Sequence, residues 1–340
     1  MTSISAPLSA PAPGYSPKGS ISEDPQIAGK ETGASQLDAI LQTSLNANSE
    51  RARGSAVKVT LSAQAKASLS SLADASANYY AQFFPTRDGK PATALALAVT
   101  DPGAVSSSAG KPFAQVADDA RASLDAKYAQ FDASGSPFDF NSPEGKDWYS
   151  LLGDLDRRSI YAISSNQGGQ FSEQEQRIAQ TVLGQEERLA AGYYAGPTRL
   201  EGAYVPPNGL TSAALDPSNP TAVAARSKAL INYLDGVSDD EKSSVAWAYS
   251  RASAQISVET IAKDEGKTAD NLGSQNPLAK LIADALKTIT GDLERGTTHG
   301  SITTPEDLKR QPWFQGFGSQ LDLLLAQDKS TPRSAINIIA

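Results

Sequence analysis

Four dipeptides punctuate this chain in the same way: Ser142-Pro143, Asn219-Pro220, Asn276-Pro277 and Thr304-Pro305, each followed by apolar residues at three- and four-residue steps. A Ser, Thr or Asn side chain accepts hydrogen bonds from the orphan amides of a first helical turn, and a proline at the first helical position gives up an amide that has no partner there anyway. The pairs therefore predict four helix starts. Behind them stand Trp148, Leu151, Leu152, Leu155 and Ile160; Val223, Leu230, Ile231 and Leu234; Leu278, Leu281, Ile282, Leu286 and Ile289; and Trp313, Phe314 and Phe317 leading into Leu321, Leu323, Leu324 and Leu325. Ser238-Asp239-Asp240-Glu241 reads as a capping box. Phe113, Val116, Ala120, Leu124, Tyr128 and Phe131 mark a further helix that ends at Ser134-Gly135-Ser136-Pro137. The expected class is mainly α: a multi-helix bundle with long Pro/Gly-rich connections and a disordered N-terminal tail.

The tail is expected over residues 1–55. Met1 to Ser22 is mostly Ser, Ala, Pro, Gly and Thr, and such a segment buries too little apolar surface to offset an ordering cost of roughly 1–2 kcal/mol per residue. Within it, Leu37, Ile40, Leu41 and Leu45 form only a short amphipathic segment. Residues 56–110 read as a helix plus linker. Val57, Val59 and Leu61 lead to Ser62 as the N-cap of a helix running towards Phe84 and stopped by Pro85. Leu95, Leu97 and Val99 then alternate as in a short strand or a covered loop. Residues 111–195 are expected to form a helical subdomain with a helix-turn-helix, 196–217 a crossover or hinge, and 218–340 a C-terminal helical subdomain.

Little reactive chemistry is on offer. The chain has no cysteine and one histidine, so thiolate nucleophiles, disulfides and Cys-ligated metals are excluded and every imidazole-based scheme must pass through His299, which sits in a turn-like stretch without an acidic neighbour. The net charge is −8, and residues 111–340 hold all of the acidic excess, which argues against nucleic acid as a partner. No stretch approaches 18 consecutive apolar residues, so no membrane insertion is expected. Met1 to Ser20 lacks a basic region and an apolar run, and the expected location is cytoplasmic, or exported without a cleavable signal. No catalytic residue is singled out. Ser55 and Lys58 have nucleophile-base spacing but lie in low-complexity sequence. Gly266-Lys267-Thr268 lacks the glycine of a phosphate-binding loop, since position 261 is Ile261. The acid pairs Glu186/Glu187, Asp239/Asp240 and Asp154/Asp156 point to different helical faces and read as surface charge, with a hydrolase built on buried carboxylates ranked lowest.

Two local patterns resemble known families. Val59-Thr60-Leu61-Ser62-Ala63-Gln64-Ala65 resembles a Val-x-Leu-Ser-x-x-Ala element of bacterial flagellar and motility-associated proteins, including the anti-sigma factor of flagellar assembly. That resemblance, with the polar tail, implies a non-catalytic helical protein acting through contacts with a protein partner and associated with motility or a flagellar, type III export apparatus. The aromatic doublets Tyr79-Tyr80, Phe83-Phe84, Tyr193-Tyr194 and Trp313-Phe314 all read as core or contact anchors; the first two lie beside the tail, where an exposed aromatic helix on a flexible arm is the alternative, partner-binding form.

The alternative is a degenerate EF-hand-like, calcium-responsive regulator. Ser164 to Glu175 resembles an EF-hand loop, with Ser164 at position one, Asn166 at three, Gly169 at six, Phe171 at eight, Ser172 at nine and Glu175 at twelve. The metal-ligating candidates are Ser164, Asn166, Gln170, Ser172 and Glu175, with calcium as the one cofactor that this reading implies. Serine replaces the family's aspartate at position one, and Gly168 at five offers no side-chain oxygen. A reading without metal covers the same residues: Gly168 or Gly169 ends one helix, and Ser172 with Glu175 caps the next. Asp132 to Ser136 begins like a second such loop, but its twelfth position is Pro143, so it reads as a turn.

Overall fold

The computed structural model describes residues 76–206, 219–288 and 301–330, all within the unit Val59–Ala340. The predicted tail, the segment 36–45, the Val59–Ala65 element, the Ser55/Lys58 pair and His299 lie outside the described residues. Among those residues the fold is mainly α, with no strand. The helices are α1 (Thr93–Thr100), α2 (Phe113–Ala133), α3 (Lys146–Leu152), α4 (Arg157–Ser164), α5 (Glu173–Ala190), α6 (Pro220–Gly236), α7 (Asp239–Lys242), α8 (Val245–Asp264), α9 (Pro277–Lys287), α10 (Pro305–Lys309) and α11 (Gly318–Ser330).

Three of the four cap-proline pairs start helices as predicted. The Asn219 side chain accepts from the amides of Thr221 and Ala222, Asn276 from Leu278 and Ala279, and Thr304 forms a reciprocal box with Asp307. Ser142-Pro143 does not. Glu144 and Gly145 take left-handed backbone at φ 57° and 70°, so the chain turns before it can enter a helix. The helix starts at Lys146, and the Ser142 Oγ accepts from the amide of Asp147 at 3.0 Å instead. The single helix expected over Trp148 to Ile160 is also two: α3 ends before Gly153, and Asp156 caps α4 by accepting from the amide of Ser159. Ser238 accepts from the amide of Glu241, but the box is incomplete, and Ser244 caps a new helix by accepting from Trp247.

The alternating segment Leu95, Leu97, Val99 is neither strand nor loop but α1. Leu95, Ala96, Ala98 and Val99 are buried on one face there, and because Ala94 and Leu97 on the opposite face are apolar too, no 3.6-residue stripe stands out in the sequence.

One buried cluster runs from Ala77 to Leu321. It takes α2, α4 and α5 on one side and α6, α8 and α9 on the other, with α5 packed on α6 between them. The crossing is sealed by charge. Arg157, 2% exposed, points its guanidinium fork at Glu241, with Nε and Nη2 at 3.0 and 2.6 Å from the two carboxylate oxygens. Its Nη1 donates to Glu186 at 2.9 Å, to the hydroxyl of Tyr233 at 2.7 Å and to the carbonyl of Leu183 at 3.2 Å. One cation thus joins α4, α5, α6 and α7. Beside it, Asp156 accepts at one oxygen from the successive amides of Ser106, Ser107 and Ser108. Burial raises the pKa of Asp156, but the hydrogen bonds from Ser159 and Ser108 outweigh it and hold the group below its ordinary value.

The balance around Arg157 is incomplete. Burial pushes Glu186 up to about 8 against the attraction of Arg157, because one guanidinium faces two carboxylates, Glu241 holds its fork, and Glu186 Oε1 has no hydrogen-bond partner. A carboxyl that holds its proton more tightly folded than unfolded stabilises the fold fully below its ordinary pKa of 4.5, and that contribution is lost as pH rises through about 8. Stability to urea is therefore expected to fall between about pH 5 and pH 8.5. Glu186→Gln should flatten this slope and raise stability at the alkaline end; an unchanged slope in the variant would refute the assignment. Arg157→Met, which strands Glu241, should cost about 3–5 kcal/mol at neutral pH in the same assay.

Candidate functional site

The calcium-type loop folds as a helix-turn-helix between α4 and α5. Asn166 and Gly168 turn the chain through left-handed backbone at φ 50° and 77°, and the Ser172–Glu175 box opens α5 in full. The candidate ligand atoms have other partners. Ser164 Oγ donates to the carbonyl of Tyr161, Asn166 Oδ1 accepts from the amide of Phe171 at 3.0 Å, and Gln170 donates across to Asp118 at 2.6 Å. Both oxygens of Glu175 accept from Arg121, at 2.9 and 3.0 Å, and one of them also accepts from the amide and hydroxyl of Ser172. Burial raises the pKa of Glu175, yet these donors outweigh it and hold the group below its ordinary value. Among the described residues no three His, Cys, Asp or Glu side chains come together as a metal site would require. Nor is any described helix long and apolar enough to cross a membrane.

The aromatic doublets divide. Tyr80, Phe83 and Phe84 are enclosed in the core, in line with their reading as anchors and against the alternative of an exposed aromatic helix. They are spent on packing: Phe84 stands edge-on to Tyr149 at 5.5 Å, and Phe83 to Tyr194 and Tyr204 at 5.7 and 5.6 Å. Each such pair contributes about 0.5–1.5 kcal/mol beyond its buried area. Tyr193 is different, at 39% exposed.

Beside Tyr149 lies an open cleft of about 620 Å3. The Glu144-Gly145 turn and the rings of Trp148 and Tyr149 form one wall, the α5 face carrying Gln180, Thr181, Gly184, Gln185 and Arg188 forms the other, and residues 195–198 close one end. The walls are fixed by hydrogen bonds. Tyr149 donates to Gln185 at 2.7 Å, Gln185 donates onward to the carbonyls of Phe83 and Ala195, and Trp148 donates to the carbonyl of Phe140. Gly145 is required at the turn because a Cβ there would stand 3.2 Å from the Trp148 ring on left-handed backbone. Glu144, left-handed without being glycine, stores strain of about 1–3 kcal/mol, and its carboxylate reaches Arg199 at 3.0 Å across the cleft's end. Gly184 lies in mid-helix with nothing within 4 Å of where its Cβ would be, so its missing side chain is room in the cleft.

A second site begins at the same rim. The guanidinium carbons of Arg188 and Arg226 lie 5.8 and 4.4 Å from the centre of the Tyr193 ring. Arg226 is 4% exposed and its Nε has no partner. A ring facing a desolvated cation contributes about 2 kcal/mol, less than the several kcal/mol that burying the charge costs.

Sequence reasoning placed the acid pairs at the surface, and folding overturns this for several of them. Glu186 and Asp156 are buried, and Asp240 pairs with Arg158 at 2.7 Å. Asp154 and Asp239 remain exposed, as expected. The signal for Glu186 was its partner: Arg157 lies three residues before Ile160, on the buried face of α4, and a charge in an apolar stripe needs a counter-charge. The Tyr193–Arg226 contact joins residues 33 positions apart in different helical groups, and no local pattern announces it.

No family model matches this chain, and neither a curated protein nor a solved structure matches it.

Because Glu175 serves both the α5 cap and the Arg121 pair, Glu175→Gln is expected to lower stability by about 1–2 kcal/mol in thermal or urea unfolding, by the same amount with and without millimolar calcium. A calcium-dependent rise in Tm that disappears in the variant would instead make the turn a metal site.

Proposed function

We propose that this chain is a non-catalytic helical protein that works through contact with a protein partner, the cleft beside Gly184 receiving an extended segment of that partner, in association with a flagellar-type export or motility apparatus. The observation that carries the docking part is the cleft itself. One wall is aromatic, with the rings of Trp148 and Tyr149, and the side chains of Gln185 and Trp148 already have internal partners. Such a surface suits an apolar side chain on an extended chain better than a bond-breaking reaction. The acids of greatest chemical interest, Glu186, Glu241, Asp156 and Glu175, hold the helices together instead. The export association is supported by the polar composition of residues 1–55 and by Val59–Ala65.

Residues 1–60 fused to a reporter are expected to carry it out through a flagellar-type secretion system; a reporter retained in the cytosol of secreting cells would remove the export part of the reading. For the docking part, a photo-crosslinker at the exposed Thr181 should capture one defined partner. Gly184→Leu should cut that yield about tenfold by filling the cleft while keeping or raising Tm, since a mid-helix glycine costs about 1 kcal/mol. Undiminished crosslinking in a folded Gly184→Leu protein would count against docking there.

A further inference from the structure

We infer that Arg226 anchors an anion-binding site, in which its guanidinium takes a phosphate or carboxylate group beside Tyr193 and Arg188. The inference shares Arg188 with the cleft but does not rest on partner docking, and a free anion tests it directly.

The comparison that carries it lies within the chain. Arg157 and Arg251 are each 2% exposed, and Arg226 is 4% exposed. Arg157 answers its burial with Glu241 and Glu186, and Arg251 with a fork onto Asp235. The partly exposed Arg87, Arg121 and Arg158 are matched too, with Asp147, Glu175 and Asp240. Arg226 has no carboxylate within 4 Å and no hydrogen-bond acceptor among the described residues; its described contact is the face of Tyr193. Its Nε is enclosed and donates to nothing.

The surroundings add to the positive field. Arg188 approaches the same ring and likewise has no acidic partner among the described residues; its one polar contact is a long 3.5 Å bond to the carbonyl of Tyr194. In a protein of net charge −8, two guanidinia without acids on one partly exposed ring form a local reversal of sign. The carboxyl end of α5, just before Tyr193, offers partial negative charge, but that does not take up the Nε hydrogen. A planar fork with free donors, next to a second cation and sheltered from water, matches the geometry of an oxyanion.

The test uses the full chain, with inorganic phosphate and acetate as probes and sodium chloride at equal ionic strength as the control. Phosphate, acetate or both should raise Tm saturably, with matching heat in calorimetry. A rise with phosphate alone supports a phosphoryl ligand, a rise with acetate supports a carboxylate ligand, and no rise beyond chloride with either overturns the proposal. Arg226→Met should weaken binding at least about tenfold and, in anion-free buffer, keep or raise Tm, because it removes a buried charge that has no counter-charge. Arg226→Lys should retain partial binding, which keeps the test decisive if the Met variant does not fold. Binding by either variant within about twofold of the parent would overturn the assignment. So would a drop in Tm for Asp216→Asn equal to that for Arg226→Met, which would make the counter-charge internal, Asp216 being the one acidic residue in 207–218.

Discussion

The two halves of the helical body are joined around a single guanidinium. Arg157 reaches four helices at once, and its contacts are the point where α4 and α5 become continuous with α6 and α7. Such a tie is directional in a way that apolar packing is not. Leucines tolerate a small slide, whereas a fork closed on Glu241 and a third nitrogen shared by Glu186, Tyr233 and Leu183 accept one arrangement only. The same tie gives α7 a reason to exist: this four-residue helix turns Glu241 inward under the Ser238 cap.

The other buried acids follow the same logic. Asp147 holds Arg87 and the amide of Asp139, Asp156 gathers the Ser106–Ser108 amides, and Glu175 serves a cap and an arginine together. Each fixes a loop to a helix, which is how a fold with few long helices keeps its connections in place. Among the described residues, the cleft over Trp148 and Tyr149 and the ring of Tyr193 with its two arginines stay open.

The fold class was legible because capping is local. Asn219, Asn276 and Thr304 act within three residues of themselves, and nothing distant can cancel them. Ser142 shows the limit, since its proline is followed by a residue pair in left-handed backbone that the next wall of the cleft requires. α1 shows no stripe because its outward positions Ala94 and Leu97 are apolar as well as its buried ones. The helix-turn-helix at Ser164–Glu175 was readable from the same residues that suggested calcium, and what separates the two readings is Arg121, 54 positions away. The cleft and the Arg226 contact depend wholly on distant segments meeting, so no spacing in the sequence could disclose them.

The pair between Glu144 and Arg199 has a consequence for the cleft that packing would not produce. It joins a residue in strained backbone to the short 3-10 turn Thr198–Ala203, and Arg199 is 59% exposed. Exposed attractions of this kind are screened over about 8 Å at physiological ionic strength. Ordinary salt therefore weakens the tie between Glu144, which lines the cleft, and the turn that follows Thr198 at the cleft's end.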